Sequence, residues 1–77
     1  MGEFENAADV STDIASTDAT YDPPLRAMSC NGTGFVKVDT VGGQTVVMTL
    51  FQGIQSMAQV TKVYKTGTTA TSIVGFW

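Results

Sequence analysis

The chain has 77 residues, of which 43% are hydrophobic and 14% are charged, and its formal net charge is −3. A domain of this size buries only about 60% of the surface of its unfolded chain, so alone it is marginally stable. The sequence has one cysteine and no histidine, which excludes an intrachain disulfide and argues against a zinc site. We therefore predict no metal and no cofactor, and we expect contacts with other chains to contribute stability.

The N-terminal third differs in composition from the rest. Residues 1–25 carry six of the seven acidic residues and no basic residue, and Ser, Thr and Asp dominate them. Such a composition cannot bury enough apolar surface to order itself. The sequence predicts an acidic arm over residues 1–25, extended or flexible, and a β domain over residues 26–77. The arm is either a solvated tail or a segment that lies across a neighbouring subunit, and we expect deletion of residues 1–20 to leave the domain folded but to weaken assembly.

The border between arm and domain is predicted at residues 21–25 (YDPPL), because two prolines fix the backbone and remove hydrogen-bond donors. Residues 26–30 form the first predicted strand. Cys30, at its end, is expected to be a buried free thiol. Residues 31–34 (NGTG) contain the Asn-Gly pair favoured in two-residue hairpins and predict a turn.

The middle of the chain has the clearest strand patterns. Residues 35–40 alternate, which predicts a strand with Val36 and Val38 on a buried face and polar residues on a wet face. Residues 41–44 (VGGQ) predict a turn. Residues 45–51 carry apolar side chains on both faces, which predicts a central strand that is covered on both sides.

The C-terminal stretch predicts a hairpin. Residues 54–58 fit either a short strand or an irregular crossing, and residues 59–65 and 70–77 are rich in β-branched and aromatic residues. The turn between these two strands is predicted at residues 66–69, with Gly67 at positive φ. Aromatic residues at the end of the last strand either close the core of the monomer or contact a neighbouring subunit.

These elements predict the fold class. Five or six short strands, with turn signals every 8 to 12 residues or so, indicate a small antiparallel β-sandwich or barrel with an extended N-terminal arm. No 3.6-residue period persists, so we expect little helix. The edge of such a sheet exposes unpaired backbone groups, which the arm or a neighbouring subunit could cover.

The functional residues predicted from the sequence form an interface. Nucleophilic catalysis needs a base beside the nucleophile, and the acidic residues of the arm are not held at a fixed separation, so we predict no catalytic residue. Four basic residues under a negative net charge argue against nucleic-acid binding, and no apolar run is long enough to span a membrane. The predicted interface residues are Tyr21, Asp22, Arg26, Tyr64, Phe76 and Trp77.

Residues 22–77 resemble a family of small proteins of bacteriophages and phage-like gene transfer agents, the spike base proteins. The shared features are Arg26-Ala27 at the first strand, a Gly-Phe-Val-Lys-Val run at residues 34–38, and a Gly-Gly turn before a Val/Thr-rich strand. The most specific feature is the pattern V-x-x-V-Y-x-T-G-T-T-A-T-x-I-V over residues 60–74, followed by an aromatic end. The resemblance implies a non-enzymatic virion protein with no catalytic residue.

This resemblance sets the functional expectations. The first is a capsid decoration (cement) or head-spike base protein that forms a homo-oligomer and attaches to the major capsid protein or to a spike or fibre protein. It would be assembled in the host cytoplasm and located in the virion. The second is a tail-associated adaptor or fibre-anchoring protein. The third is a small carbohydrate-binding β module, in which Tyr64, Phe76 or Trp77 would serve as a stacking platform.

Overall fold

The computed structural model describes residues 6–77, which form a sheet of six strands and a helix of four residues. The strands and the helix are β1 (Ala7–Asp9), α1 (Val10–Asp13), β2 (Ala19–Ser29), β3 (Gly34–Thr40), β4 (Thr45–Leu50), β5 (Ser56–Val63) and β6 (Val74–Phe76). The order in the sheet is β1-β6-β2-β5-β3-β4, and every neighbouring pair is antiparallel. The predicted small antiparallel all-β fold is confirmed. The helix in this part of the chain is too short to cross a bilayer.

The core lies on one face of this sheet. Val36 and Val38 of β3 are fully buried, as their alternation predicts, and Val60 and Val63 of β5 lie beside them. The free thiol of Cys30 is also buried, which confirms its predicted role as a small apolar residue. Among residues 6–77, the nine largest fully buried side chains are Leu25, Met28, Leu50, Ile73, Val10, Val36, Val38, Val60 and Val63.

The N-terminal segment is part of this core, which differs from the predicted arm. β1 pairs with β6, and the Asp9 side chain caps α1 by accepting a hydrogen bond from the backbone N–H of Thr12 at 3.1 Å. Val10 is fully buried and Ile14 nearly so. The composition of the segment did not predict this burial. Two apolar residues are enough to anchor a segment in the core when a short helix places them against a sheet. The part of the predicted arm in residues 1–5 lies outside the described residues.

The predicted border between residues 25 and 26 falls inside β2. This strand includes both prolines, and its pairing with β5 shifts register between Thr20 and Leu25 and again between Leu25 and Ala27. Proline lacks a backbone donor, and an irregular stretch of ladder does not require one. The Pro-Pro pair therefore lies within the strand and does not mark a domain boundary.

One of the three predicted hairpins is confirmed. β3 and β4 pair across residues 41–44, where Gly43 has φ of +87°. The hairpin expected at residues 31–34 is wrong, because β5 lies between β2 and β3 in the sheet. The C-terminal hairpin is also wrong, because β2 lies between β5 and β6. A turn motif predicts a local reversal of the chain, but it does not specify which strand pairs with the strand before the turn. Gly67 has the predicted positive φ, +91°.

The segment after Gly67 packs against the start of β3. The backbone N–H groups of Thr69 and Ala70 both donate to the Phe35 carbonyl oxygen, at 2.7 and 3.0 Å. A Cβ atom on Gly34 would lie 2.6 Å from the Ala70 nitrogen, so this close approach of two backbones requires glycine. The segments at residues 31–35 and 69–71 are thus held together by backbone hydrogen bonds.

The strand predicted to be central, residues 45–51, is at an edge. β4 pairs with β3 alone among the described residues, and its outward-facing side chains are exposed. Apolar residues on both faces suggested cover on both sides, and the structure covers only one. The ambiguous stretch at residues 54–58 is divided: residues 54–55 belong to a loop, and residues 56–58 form the start of β5, which begins at Ser56.

Candidate interaction surface

The sheet has a core face and an opposite face, here called the outer face. Successive residues of a strand point to opposite faces, and residues directly opposite in neighbouring strands share a face. Because Val36 and Val38 of β3 point into the core, the residues between and beside them point outward. The outer-face residues of β3 and of its partner β4 are Phe35, Lys37, Asp39, Thr45, Val47 and Thr49.

A first apolar patch lies on the outer face at the β4 side, and it comprises Phe35, Val47 and Phe51. Phe35 lies opposite Thr49, which is two residues from Val47 in β4 and two residues from Phe51, the residue that directly follows the strand. Each is more than half exposed, at 52% for Phe35, 60% for Val47 and 54% for Phe51. Contiguous apolar residues on a soluble protein mark an interaction surface. We call this group the β4 patch.

A second apolar patch lies on the outer face where β5, β2 and β6 are adjacent. Ala27 of β2 is directly opposite Met57 of β5 on one side and Phe76 of β6 on the other. Ala27 is fully buried yet is not a member of the core cluster, so it is covered from the outer face. Met57 is 68% exposed and Phe76 is half-buried. We call this group the Met57 patch.

A polar cluster on the outer face is centred on Tyr64. The ammonium groups of Lys37 and Lys62 lie 4.9 and 4.7 Å from the centroid of its ring. The Tyr64 hydroxyl donates to the carboxylate of Asp39, whose two oxygens lie 3.0 and 2.9 Å away. The pKa of Asp39 is held below its ordinary value, first by the hydrogen bond from Thr45 and then by those from Tyr64 and by the two lysines.

The structure places the predicted interface residues in different environments. Tyr21 is buried in the core cluster, so it is not available at the described surface, which corrects its predicted role. Asp22 and Arg26 are exposed on β2. Phe76 lies in the Met57 patch. Trp77 is half-buried against the core, and its backbone N–H donates to the Asn6 carbonyl oxygen at 3.0 Å.

Tyr21 has a structural role instead, because it is buried. Its hydroxyl donates to the Asp13 carboxylate at 2.9 Å, which ties β2 to the end of α1. Its pKa is raised well above the ordinary value, mainly by burial and then by the hydrogen bond and the negative charge of Asp13. The aromatic residues predicted to act together are also apart, because β6 and β5 are separated by β2 and Tyr64 follows β5.

Four exposed apolar residues of the outer face are not among the predicted interface residues. They are Phe35, Val47, Phe51 and Met57. One signal could have found three of them: residues 40–61 contain no charged side chain. An uncharged stretch that spans two strands and two connections is unusual on a solvated surface, since surfaces normally carry interspersed charges.

The described residues also form a shallow cleft of about 420 Å³ between α1 and β6, lined by Asp9, Ser11, Thr12, Ser72 and Val74. Three of its polar side chains, those of Asp9, Ser11 and Thr12, form hydrogen bonds within the fold. The Ser11 hydroxyl oxygen accepts from the Ile73 N–H at 2.7 Å, and the Asp9 carboxylate accepts from Thr12. Within residues 6–77, no three side chains of His, Cys, Asp or Glu are grouped so that they could hold a metal ion.

Comparisons with known proteins add no relative to this description. No protein-family model matches the chain, and no curated protein or solved structure is significantly similar to it. The resemblance of residues 22–77 to spike base proteins therefore stays a prediction from the sequence.

Proposed function

We propose that this chain is a non-enzymatic structural protein of a bacteriophage or phage-like particle. Its role is that of a capsid decoration (cement) protein or a head-spike base, which associates with other copies of itself and attaches to the major capsid protein or to a spike or fibre protein. It is assembled in the host cytoplasm and is located in the virion. The observation that carries this proposal is the uncovered outer face of the sheet.

The outer face favours a part in an assembly. A chain of 77 residues uses one face of its sheet for the core and leaves Phe35, Val47, Phe51 and Met57 more than half exposed on the other. Apolar area that is removed from water stabilises a contact by about 25 cal/mol per Å² before the costs of association are counted. Neighbouring subunits that cover this face would therefore supply stability that so small a domain lacks.

The resemblance narrows the kind of assembly. The T-G-T-T-A-T run at residues 66–71, part of the shared pattern, lies in the connection between β5 and β6 and carries the two N–H groups that donate to the Phe35 carbonyl oxygen. The run thus positions one member of the β4 patch. This placement supports the proposal, because a shared motif that shapes a surface is what related interaction proteins would have in common.

The other two functions are supported less well. A tail-associated adaptor would use the same outer face, and only the position of the chain in a particle distinguishes it from a head protein. A carbohydrate-binding module needs an aromatic platform, whereas the Tyr64 ring is flanked by two lysines and Phe76 belongs to a different patch. We therefore place the carbohydrate-binding function last.

Locating the chain in particles tests the proposal. Particles released by cells that produce this chain would be separated on a density gradient and probed with an antibody against it, with antibody pre-absorbed on the purified chain as the control. We expect the chain to migrate with the particles and the antibody to label the heads of those particles. Label on tails would support the adaptor function, and a chain that stays in the particle-free fractions would contradict both.

A further inference from the structure

The free edge of β4 is the least protected part of the sheet. β4 pairs with β3 over six consecutive residues without a register shift, and the described residues provide no strand on its other side. Such an edge presents a row of backbone donors and acceptors, and proteins normally blunt it with charges, prolines, bulges or a short strand. β4 has none of these features, and residues 40–61 around it are uncharged.

The opposite edge of the sheet shows the contrast. β1 has only three residues, ends at the charged Asp9, and leads directly into α1. Each of these features limits pairing with another strand. The chain therefore protects one edge and leaves the other open, which favours a partner strand at β4.

The backbone geometry identifies the free groups. The Thr40 N–H donates to the Gln44 carbonyl oxygen at 2.8 Å across the turn, so Gln44 bonds toward β3. Bonding direction alternates along an antiparallel strand. Val46 and Met48 therefore also bond toward β3, whereas the N–H and C=O groups of Thr45, Val47 and Thr49 point away from the sheet.

We propose that β4 pairs antiparallel with β4 of a second copy, about a two-fold axis at Val47, so that two sheets become one. In this register Val47 lies opposite Val47 and Thr45 opposite Thr49, and every outward backbone group of these three residues is bonded. A two-fold axis at Met48 would instead place Thr45 opposite Phe51, which lies beyond the strand. The number of satisfied groups therefore selects the axis at Val47.

The side chains suit a second copy of the same strand. On the outer face the pairing sets Val47 beside Val47 and threonine beside threonine, and such cross-strand pairs are favourable. On the core face it sets Val46 against Met48, which are both half-buried in one copy. No charge of one copy opposes a charge of the other along the strand, although each chain has a net charge of −3. Because residues 6–77 of each copy offer one such edge, pairing stops at two copies.

This inference rests on the self-association in the proposed function and is independent of the particle in which the chain is found. Sedimentation of the full chain and of two variants tests it. Val47→Lys places two ammonium groups face to face at the axis, whereas Val41→Lys adds the same charge at a similarly exposed valine in the β3–β4 turn. We expect the wild type and Val41→Lys to sediment as dimers, with twice the chain mass of 8.1 kDa, and Val47→Lys to sediment as a monomer of 8.1 kDa.

A cysteine cross-link tests the register independently of stability. Opposed Cα atoms of a hydrogen-bonded antiparallel pair lie about 5.5 Å apart, within the range that a disulfide spans. Under a mild oxidant, Val47→Cys should give a disulfide-linked dimer, and Val41→Cys should not. Circular dichroism of each variant confirms that it is folded, and Cys30 is buried and common to both.

The outcomes separate the two proposals. A dimeric wild type whose Val47→Lys variant is also dimeric, or equal cross-linking at positions 41 and 47, would overturn the β4 pairing and leave self-association standing. A wild type with the single-chain mass at all concentrations would overturn the pairing together with self-association. Attachment to particles would still be decided by the density gradient.

Discussion

The Thr45 hydroxyl donates a hydrogen bond to the carboxylate of Asp39, its direct neighbour across the β3–β4 ladder. This bond is the largest cause of the lowered pKa of Asp39, ahead of the hydrogen bonds from Tyr64 and the charges of Lys62 and Lys37. A depressed pKa in the folded state means that the carboxylate contributes stability above its ordinary pKa, and this stability is lost as the pH falls through the folded value.

Replacement of Thr45 should therefore weaken the acid dependence of stability. In Thr45→Val we expect the free energy of unfolding to fall less steeply between pH 5 and pH 2, to be followed by urea denaturation across that range. Thr49→Val is the matched control, because Thr49 lies on the same face of the same strand but opposite Phe35. Equal slopes in the two variants would show that the Thr45 bond does not set the pKa of Asp39.

The buried Tyr21 predicts a loss of stability at high pH. Its pKa is raised in the folded state, so above the ordinary value of 10 the unfolded chain is ionised while the folded chain is not. The contribution of Tyr21 to the free energy of unfolding is therefore fully present below pH 10 and is lost as the pH rises further. In Tyr21→Phe we expect this decline to be shallower, at a cost of about 1 kcal/mol at neutral pH for the hydrogen bond to Asp13. Denaturation at neutral and alkaline pH, with tyrosinate absorbance to follow ionisation, measures both effects.

The N-terminal segment should be needed for stability. Val10 is fully buried beside β6, so Val10→Ala removes two buried methyl groups and should lower the free energy of unfolding by about 2 kcal/mol. Val41→Ala, at an exposed turn position, should change it by less than about 0.5 kcal/mol. Thermal and urea unfolding measure both. Equal stability of the two variants would show that the N-terminal segment does not stabilise the core and is a loose arm.

A side chain at position 75 in β6, where the chain has Gly75, should destabilise the fold. A Cβ atom on Gly75 would lie 2.6 and 2.8 Å from the two δ-methyl carbons of the fully buried Leu25 and 3.1 Å from a methyl carbon of Val10, so the packed side chains would have to shift. We expect Gly75→Ala to destabilise the fold by about 1–3 kcal/mol through overpacking. Gly42→Ala is the control, because its nearest neighbour is the Thr40 hydroxyl at 3.8 Å. A Gly75→Ala variant as stable as Gly42→Ala would mean that β6 is packed less tightly than described.

The sequence predicted the local structure better than the connections. Alternation at Val36 and Val38 and the glycines at positions 43 and 67 identified a buried face and two turns, because those signals arise from neighbouring residues. The positions of β5 and β6 in the sheet depend on contacts between residues far apart in the chain. The Gly34 contact with Ala70 is one of them, and no local pattern encodes it. Val10 was misjudged for the same reason, since its burial depends on β6.

The candidate surface was only partly predictable. Phe76 was identified because aromatic residues are common at interfaces. Val47 was not, because an apolar residue in a strand with apolar residues on both faces is normally buried, whereas the described residues cover only one face of β4. Tyr21 is predicted at the interface, but its ring is buried, and the hydrogen-bond partner of its hydroxyl, Asp13, lies eight residues away.

Amide hydrogen exchange along β4 tests most directly the central claim that a second chain completes this sheet. The Met48 N–H bonds to β3 within one copy, whereas the Val47 N–H is paired only when a second strand is present. We predict that the Val47 amide is protected at high protein concentration and exchanges rapidly on dilution, while the Met48 amide stays protected in both. A Val47 amide that exchanges rapidly at every concentration would contradict the claim.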